Sequence, residues 1–367
     1  MYQALYRKYR PKTFDEVVGQ EHITTTLKNQ VSSGNISHAY LFTGSRGTGK
    51  TTCAKIFARA INCEQNKNGS PCYDCSTCNA LADVSNVDIM EIDAASNNRV
   101  DEIREIREKV KFMPVNGKYK VYIIDEVHML TESAFNALLK TLEEPPAHVV
   151  FVLATTEVHK LPATILSRCM RFDFRLISVS VLANQLKQIL DKENITYEDD
   201  AIKLIASSAE GSDRDMLSIA DCVIAFCGNN ITAQKVIEIL GQNDKETYIN
   251  LAEAIYNKDV GTAFELIENS AKAGKNMSVF AKDITSHFRN LLIVKTCKNY
   301  ESLLGLTKNW AEKLCVQANG IPTENLMEYM KIFSGIESEL KYALSPKTLI
   351  ETAVASAITC FDEKKND

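Results

Sequence analysis

The sequence contains no run of 18 consecutive apolar residues, which is about the length that a helix needs to cross a bilayer. Its first residues, from Met1 to Lys8, lack the apolar stretch that a secretory signal peptide requires. Internal repeats and low-complexity tracts are also absent. We therefore expect a cytoplasmic protein that does not engage a membrane.

A strong excess of either charge is missing too, since 42 basic residues face 47 acidic ones and the net charge is −5. Such mild acidity argues against a protein that coats nucleic acid with its whole surface. The charge is nevertheless uneven, with +2 over residues 1–177, −5 over 178–240 and −2 over 241–367. Any contact with a phosphate backbone is therefore expected in the first part of the chain.

At 367 residues, with 45% hydrophobic and 24% charged residues, the chain has the composition of a globular protein of two or three domains. In its first half, short apolar runs alternate with amphipathic segments, which predicts βαβ units and a parallel sheet covered by helices on both faces. The predicted strands are 39–42, 88–92, 120–124 and 149–153, and the predicted helices are about 50–62, 100–111, 132–142 and 164–168.

After about residue 175 only helical periodicity is present, interrupted near residues 240–244. This pattern predicts three domains. An α/β domain is expected over 1–177, a small helical domain over 178–241 and a larger helical domain over 242–367.

Residues 44–51 match G-x-x-x-x-G-K-[ST] and lie between a predicted strand and a predicted helix, which argues against a chance match. The backbone N–H groups of such a loop surround a phosphate at a helix N-terminus. Lys50 would reach the β- and γ-phosphates, and the Thr51 hydroxyl would ligate Mg²⁺. The predicted nucleotide-binding residues here are Gly44, Ser45, Arg46, Gly47, Thr48, Gly49, Lys50, Thr51 and Thr52.

Two carboxylates, Asp125 and Glu126, follow the apolar run 120–124. A buried strand that ends in two acids is unfavourable unless a cation meets them. We expect Asp125 to hold Mg²⁺ through its water shell and Glu126 to polarise the attacking water. Thr155 and Thr156 close the next strand, where a hydroxyl could reach the γ-phosphate, although composition alone favours an ordinary strand end.

Four of the 11 cysteines, Cys63, Cys72, Cys75 and Cys78, fall within 16 residues. In a cytoplasmic protein this clustering indicates metal ligands rather than disulfides. Four thiolates satisfy a tetrahedral structural Zn²⁺, which would also supply folding energy to the polar segment between them. An iron–sulfur cluster and four unrelated reduced cysteines are the alternatives.

In this order the motifs resemble the ATPase subunits of bacterial sliding-clamp loaders, the gamma/tau family of DNA polymerase III. The resemblance covers about residues 1–220. Besides the loop and the cysteines, it rests on 6–11, Phe14, 18–20, 91–96, 124–130, 135–146, 153–156, 167–169 and 211–215.

The resemblance implies an AAA+ ATPase with a helical lid and a helical collar that assembles subunits. It implies ATP as the nucleotide, and it implies other clamp-loader subunits, the sliding clamp and primer–template DNA as partners. ATP binding would stabilise an assembly that opens the clamp and holds it with DNA, and hydrolysis at the shared interfaces would release both, which loads the clamp onto primer–template DNA during chromosome replication.

The resemblance also assigns roles to single residues. Thr156 corresponds to the first sensor of the γ-phosphate, with Thr155 as the alternative. Arg168 is similar to the arginine finger that completes the site of the adjacent subunit, and Arg214 to the second sensor in the lid.

The resemblance further places Arg10 and Val18 near the adenine, although the basic start of the chain could instead be an arm that contacts DNA. It points to Asn98, Arg99 and Lys140, at helix ends, for contact with DNA phosphates. A solvated helix surface explains each of these three equally well.

Two other functions compete with the clamp-loader motor. One is a non-hydrolysing assembly scaffold of the replisome, against which the intact Lys50, Asp125 and Glu126 argue. The other is a related AAA+ remodeller or helicase loader, which does not explain the four-cysteine insertion.

Overall fold

The computed structural model describes residues 3–66, 68–83, 86–96, 100–240, 245–304 and 308–361. The chain divides into two compact units, residues 1–233 and 234–367. Within the described residues, no helix combines the length and the apolar character that a bilayer span requires.

The first unit is built on a five-stranded sheet in which all pairs are parallel, in the order β2-β3-β4-β1-β5. Every residue of β1 and β4 is buried, as expected for central strands of a sheet covered on both faces. The predicted parallel sheet is therefore confirmed. The strands are β1 Ala39–Thr43, β2 Ile89–Asp93, β3 Lys120–Asp125, β4 Val149–Thr155 and β5 Met170–Asp173.

Helices cover both faces of this sheet. Alternate residues of β3 point to opposite sides, so Val121 and Ile123 join the core that contains Leu27 of α2 and Phe57 of α3. Tyr122 joins the core on the other face, under α5 and α6. The helices of this part are α1 Leu5–Lys8, α2 Glu21–Ser33, α3 Lys50–Asn62, α4 Ser76–Ala80, α5 Val100–Lys109, α6 Glu132–Glu143 and α7 Ala163–Leu166.

The rest of the first unit is mainly helical, with α8 Val179–Lys192, α9 Asp199–Ser208 and α10 Asp213–Cys227; α11 follows at Ala233–Ile239. Helix α1 rests on this helical region, because the backbone N–H of Leu5 donates to Asp221 at 2.9 Å and Lys8 pairs with Glu193 at 2.6 Å. The start of the chain is thereby fixed beside α10.

Three strands were not predicted from the sequence. The edge strand β5 buries only Phe172 among its four residues, so it shows no apolar run. The expectation of helices alone after residue 175 is wrong as well, because β6 (Thr196–Tyr197) and β7 (Asn230–Ile231) form a parallel pair. Strands of two residues are too short to produce a period.

The second unit is helical throughout its described residues. Its longest helix, α14, packs against α16, α17 and α18, with Phe288 stacked on Phe333 at a centroid distance of 5.5 Å. The helices are α12 Lys245–Tyr256, α13 Val260–Lys272, α14 Met277–Thr296, α15 Tyr300–Leu304, α16 Lys308–Gly320, α17 Thr323–Ile336 and α18 Pro346–Thr359.

Candidate nucleotide site and cysteine cluster

The loop between β1 and α3 has a backbone that favours glycine at three positions, Gly44, Gly47 and Gly49, since all three have positive φ. Gly44 and Gly47 have φ values of +142° and +76°. A Cβ on Gly44 would lie 2.4 Å from the carbonyl oxygen of Phe174, and one on Gly47 would lie 1.9 Å from Ser212 Oγ. Substitution would therefore move the loop away from β5 and from the start of α10.

Lys50, the first residue of α3, is buried with its ammonium group folded into this loop. Its Nζ donates to the carbonyl oxygens of Gly44 and Ser45, each at 2.8 Å. Burial lowers the pKa of Lys50, while the nearby charges of Glu126 and Asp125 oppose that shift. A cation is thus held where a bound phosphate would need one.

The first acidic residue, Asp125, ends β3 next to the start of α3. Thr51 Oγ1 donates to Asp125 Oδ2 at 2.7 Å, and the N–H of Glu126 donates to Asp125 Oδ1 at 3.0 Å. A hydroxyl and a carboxylate supply the oxygen ligands that Mg²⁺ prefers. The pair therefore fits a magnesium ion shared with a bound nucleotide.

The second acidic residue, Glu126, adopts a left-handed conformation with φ +47°. Its Oε2 accepts from the hydroxyl of Thr156 at 3.0 Å and from the Thr156 N–H at 3.3 Å. The hydroxyl of Thr155 instead contacts His128 Nδ1 at 3.0 Å and accepts from the N–H of Glu157. Of the two threonines, Thr156 is thus the one that contacts Glu126.

His128 is a site residue that the sequence did not reveal. Besides Thr155, its Nδ1 lies 3.4 Å from Glu126 Oε2, and its Nε2 lies 3.5 Å from Glu157 Oε1. A single histidine without a second at metal-binding spacing gives no signal in the sequence. Its contact with Thr155 depends on the pairing of β3 with β4, which brings the ends of these two strands together.

A narrow cleft of about 20 Å³ with mainly apolar walls adjoins the phosphate loop. Val18 and Thr52, both predicted, lie in this cleft, and Arg10 Nε donates to Thr52 Oγ1 at 3.2 Å. The complete lining is Pro11, Val17, Val18, Thr48, Gly49, Thr52, Ile177 and Asp213.

Asp213 and Gln20 were missed because they come from distant segments. Asp213, the first residue of α10, has a buried Oδ1 without a hydrogen-bond partner among the described residues, and burial raises its pKa to about 6. The fully buried Gln20 donates to the carbonyl of Arg175 at 2.7 Å and accepts from its N–H at 3.2 Å. It joins the chain before α2 to the chain after β5.

The two predicted arginines lie in different surroundings. Arg214 follows Asp213 at the start of α10, close to Gly47, with its guanidinium 5.4 Å from the centre of the Tyr6 ring. Arg168 follows α7, where it pairs with Glu143 at 2.8 Å and donates to the Thr164 carbonyl at 2.8 Å. Arg214 therefore adjoins the phosphate loop, and Arg168 lies partly exposed in an ion pair.

Of the three residues predicted to contact DNA, only Lys140 belongs to the described part of the chain. Asn98 and Arg99 lie outside the described residues. Lys140 is exposed in the last turn of α6. A role in DNA contact stays a prediction for all three.

The four clustered cysteines converge, with their sulfur atoms all within 4.8 Å of one another. Cys72 Sγ and Cys78 Sγ are 3.9 Å apart, close to the ~3.8 Å that Zn–S bonds of about 2.3 Å require in a tetrahedron. The N–H groups of Asp74 and Cys75 donate to Cys72 Sγ and lower its pKa to about 6. The donor set therefore fits a structural zinc ion with no open position.

Three family models match successive parts of the chain. The model for DNA polymerase III, delta subunit, matches residues 19–178. The model for the DNA polymerase III clamp loader subunit, ATPase lid domain, matches residues 181–229. The model for DNA polymerase III subunits gamma and tau, domain III, matches residues 231–365.

Relatives extend over almost the whole chain. DNA polymerase III subunit tau of Bacillus subtilis is 46% identical over 353 residues, which are 96% of this chain and 62% of that protein. Subunit tau of Escherichia coli K12 is 39% identical over 97% of this chain and 55% of that protein. The chain thus spans less than two thirds of the length of these two relatives.

A shorter relative is matched over more of its own length. DNA polymerase III subunit gamma of Buchnera aphidicola is 41% identical over 259 residues, which are 71% of this chain and 70% of that protein. Because this extent of similarity covers almost the whole chain, the chain belongs to the gamma/tau family of DNA polymerase III clamp-loader subunits.

Proposed function

We propose that the chain is an ATP-hydrolysing motor subunit of a bacterial clamp loader, which opens the sliding clamp and places it on primer–template DNA. The observation that carries this proposal is the convergence of Lys50, the Thr51–Asp125 pair and the Glu126–Thr156 pair at one edge of the sheet. Family membership supports the choice of clamp and DNA as partners. The proposed location is the cytoplasm.

In the proposed reaction, Lys50 exchanges its two carbonyl partners for the β- and γ-phosphates of ATP. The Thr51 hydroxyl and Asp125 would hold Mg²⁺, which would supply positive charge to the same phosphates. Because the Thr156 hydroxyl donates to Glu126, a γ-phosphate that takes this hydroxyl would leave the carboxylate with only the bond from the Thr156 N–H among these two. Glu126 would then polarise the attacking water as a general base.

The site is proposed to be completed by a neighbouring subunit. On assembly through residues 242–367, Arg168 would exchange Glu143 for the γ-phosphate bound to the next subunit. Such an arginine finger typically contributes about 10³–10⁵ in rate. Arg214 would act on the nucleotide of its own chain from the start of α10.

The test of the motor proposal is ATPase activity measured with and without primed DNA and clamp. We expect stimulation when both are present, and its absence would refute a role in clamp loading. Lys50→Ala should abolish loading, whereas unchanged loading by this variant would favour the non-hydrolysing scaffold.

The neighbouring-subunit finger is tested by dilution. Wild-type turnover per chain should fall as the subunits dissociate, and Arg168→Ala should lose turnover while it still binds ATP. Arg171→Ala is the matched control, since Arg171 is an exposed arginine paired with Asp173 on β5. Normal hydrolysis by monomeric Arg168→Ala would show that the finger does not act between subunits.

A further inference from the structure

The cysteine cluster lies next to one wall of the nucleotide cleft. We name residues 63–78 the cysteine module and residues 10–18 the strap. We propose that the cysteine module braces the strap over the nucleoside part of the cleft, so that zinc occupancy sets the affinity for nucleotide. This inference rests on the proposed ATP site and adds a role for the metal.

The strap forms one wall of the cleft through Pro11, Val17 and Val18. It connects α1 to α2, and its regular structure is a single 3₁₀ turn over Phe14–Glu16. A connecting segment of this kind takes its position from the contacts that neighbouring segments make with it. The width of the cleft therefore depends on what holds the strap.

The cysteine module provides two of these contacts. The Tyr73 hydroxyl donates to the carbonyl oxygen of Lys12 at 2.5 Å. Ser70 Oγ accepts from the backbone N–H of Phe14 at 3.4 Å. Both bonds reach the backbone of the strap between the residues that line the cleft, so they position that backbone directly.

Tyr73 depends on the cysteines for its own position. It lies between Cys72 and Cys75, with φ +63°, a conformation that is unfavourable for a residue with a side chain. Its ring packs on the guanidinium of Arg59 at 5.5 Å. Since the flanking cysteines are two of the four ligands, metal binding would hold this turn in place.

The apolar cluster of the cysteine module consists of the cysteines themselves. Gly69, Ser70, Pro71 and Thr77 are buried as well, but none of them links the four thiols to one another, so loss of the metal would loosen the turn that carries Tyr73. None of the residues that line the cleft belongs to the module. Tyr73 is therefore a positioning residue that acts through the strap.

The coupling must be reciprocal, because a ligand that stabilises the strap also stabilises the module that holds it. Bound nucleotide should therefore raise the affinity for zinc, so that a higher chelator concentration is needed to remove the metal. This readout is independent of ATP hydrolysis.

The first experiment measures the Kd of a fluorescent ATP analogue for the zinc-loaded full chain and for Tyr73→Phe. This variant keeps the aromatic ring and removes the hydroxyl, which bonds to the carbonyl oxygen of Lys12 and also contacts the Arg59 side chain. Zinc content should be unchanged, and Kd should rise by about two- to tenfold, the usual effect of one hydrogen bond. Tyr342→Phe, an 88% exposed tyrosine of the second unit, is the control and should bind as wild type does.

The second experiment compares the wild type before and after zinc removal under reducing conditions. Kd should rise at least as much as in Tyr73→Phe, and that substitution should add nothing once zinc is absent. A Kd unchanged by both Tyr73→Phe and zinc removal overturns the brace. If the zinc-loaded wild type itself bound no ATP, the proposed nucleotide site would fail instead.

Discussion

Replacing Glu126 with glutamine separates ATP binding from hydrolysis in this site. Glu126 Oε2 accepts two hydrogen bonds from Thr156, and the glutamine amide oxygen can accept both. The substitution therefore preserves the shape of the site and removes the charge and basicity of the carboxylate.

The expected loss in rate follows from the role of Glu126 as general base. Such a group contributes about 10²–10⁴ in rate, which is about 3–5 kcal/mol of activation free energy. The ground state should change less, because hydrogen bonds to a neutral oxygen replace those to a charged one, at a cost of about 1–2 kcal/mol for the pair. ATP affinity should not weaken, since one negative charge near the phosphates is removed.

The assay combines steady-state phosphate release, in the presence of clamp and primed DNA, with direct titration of ATP binding. Glu132→Gln is the matched control, because Glu132 is an exposed acid in the first turn of α6, away from these contacts. We expect near wild-type turnover in this control. Turnover of Glu126→Gln within threefold of wild type would refute the assignment of Glu126 as base.

Three further predictions concern stability, each measured by urea unfolding. The fully buried Asp88 accepts three hydrogen bonds from the backbone N–H groups of residues 115–117, at 2.8, 2.6 and 3.1 Å. Asp88→Ala should therefore lower the free energy of unfolding of the first unit by about 3–5 kcal/mol, and a decrease below about 1 kcal/mol would contradict this. Burial raises the pKa of Asp213 to about 6, so its carboxyl group loses its proton as pH rises through 6 and the buried charge then destabilises the folded state. Asp213→Asn should therefore raise the free energy of unfolding by about 1–3 kcal/mol at pH 8 but not at pH 4. Burial lowers the pKa of His287 from 6.5 to about 4, because the charged imidazole is unfavourable inside the folded unit. The free energy of unfolding of the second unit should therefore decrease by up to about 3 kcal/mol as pH falls from 6.5 to 4, and His287→Gln should not show this decrease.

The phosphate loop, the acidic pair and the cysteine cluster were all recognisable in the sequence. Each depends on neighbouring residues: glycines where the backbone must turn, carboxylates at the end of a buried strand, and thiols at metal-binding spacing. Helix α3 begins and ends at the predicted residues, 50 and 62, since its apolar periodicity is uninterrupted.

Tertiary structure alone decided how these parts meet. The Thr51–Asp125 and Glu126–Thr156 bonds join residues 74 and 30 positions apart, and no local pattern encodes either distance. The exposed edge strand β5 was missed because one buried residue produces no pattern. The sequence thus determined which chemical groups are present and the local backbone conformation around them. The packing of the sheet and helices determined which of these groups touch, because it depends on burying apolar side chains from distant parts of the chain.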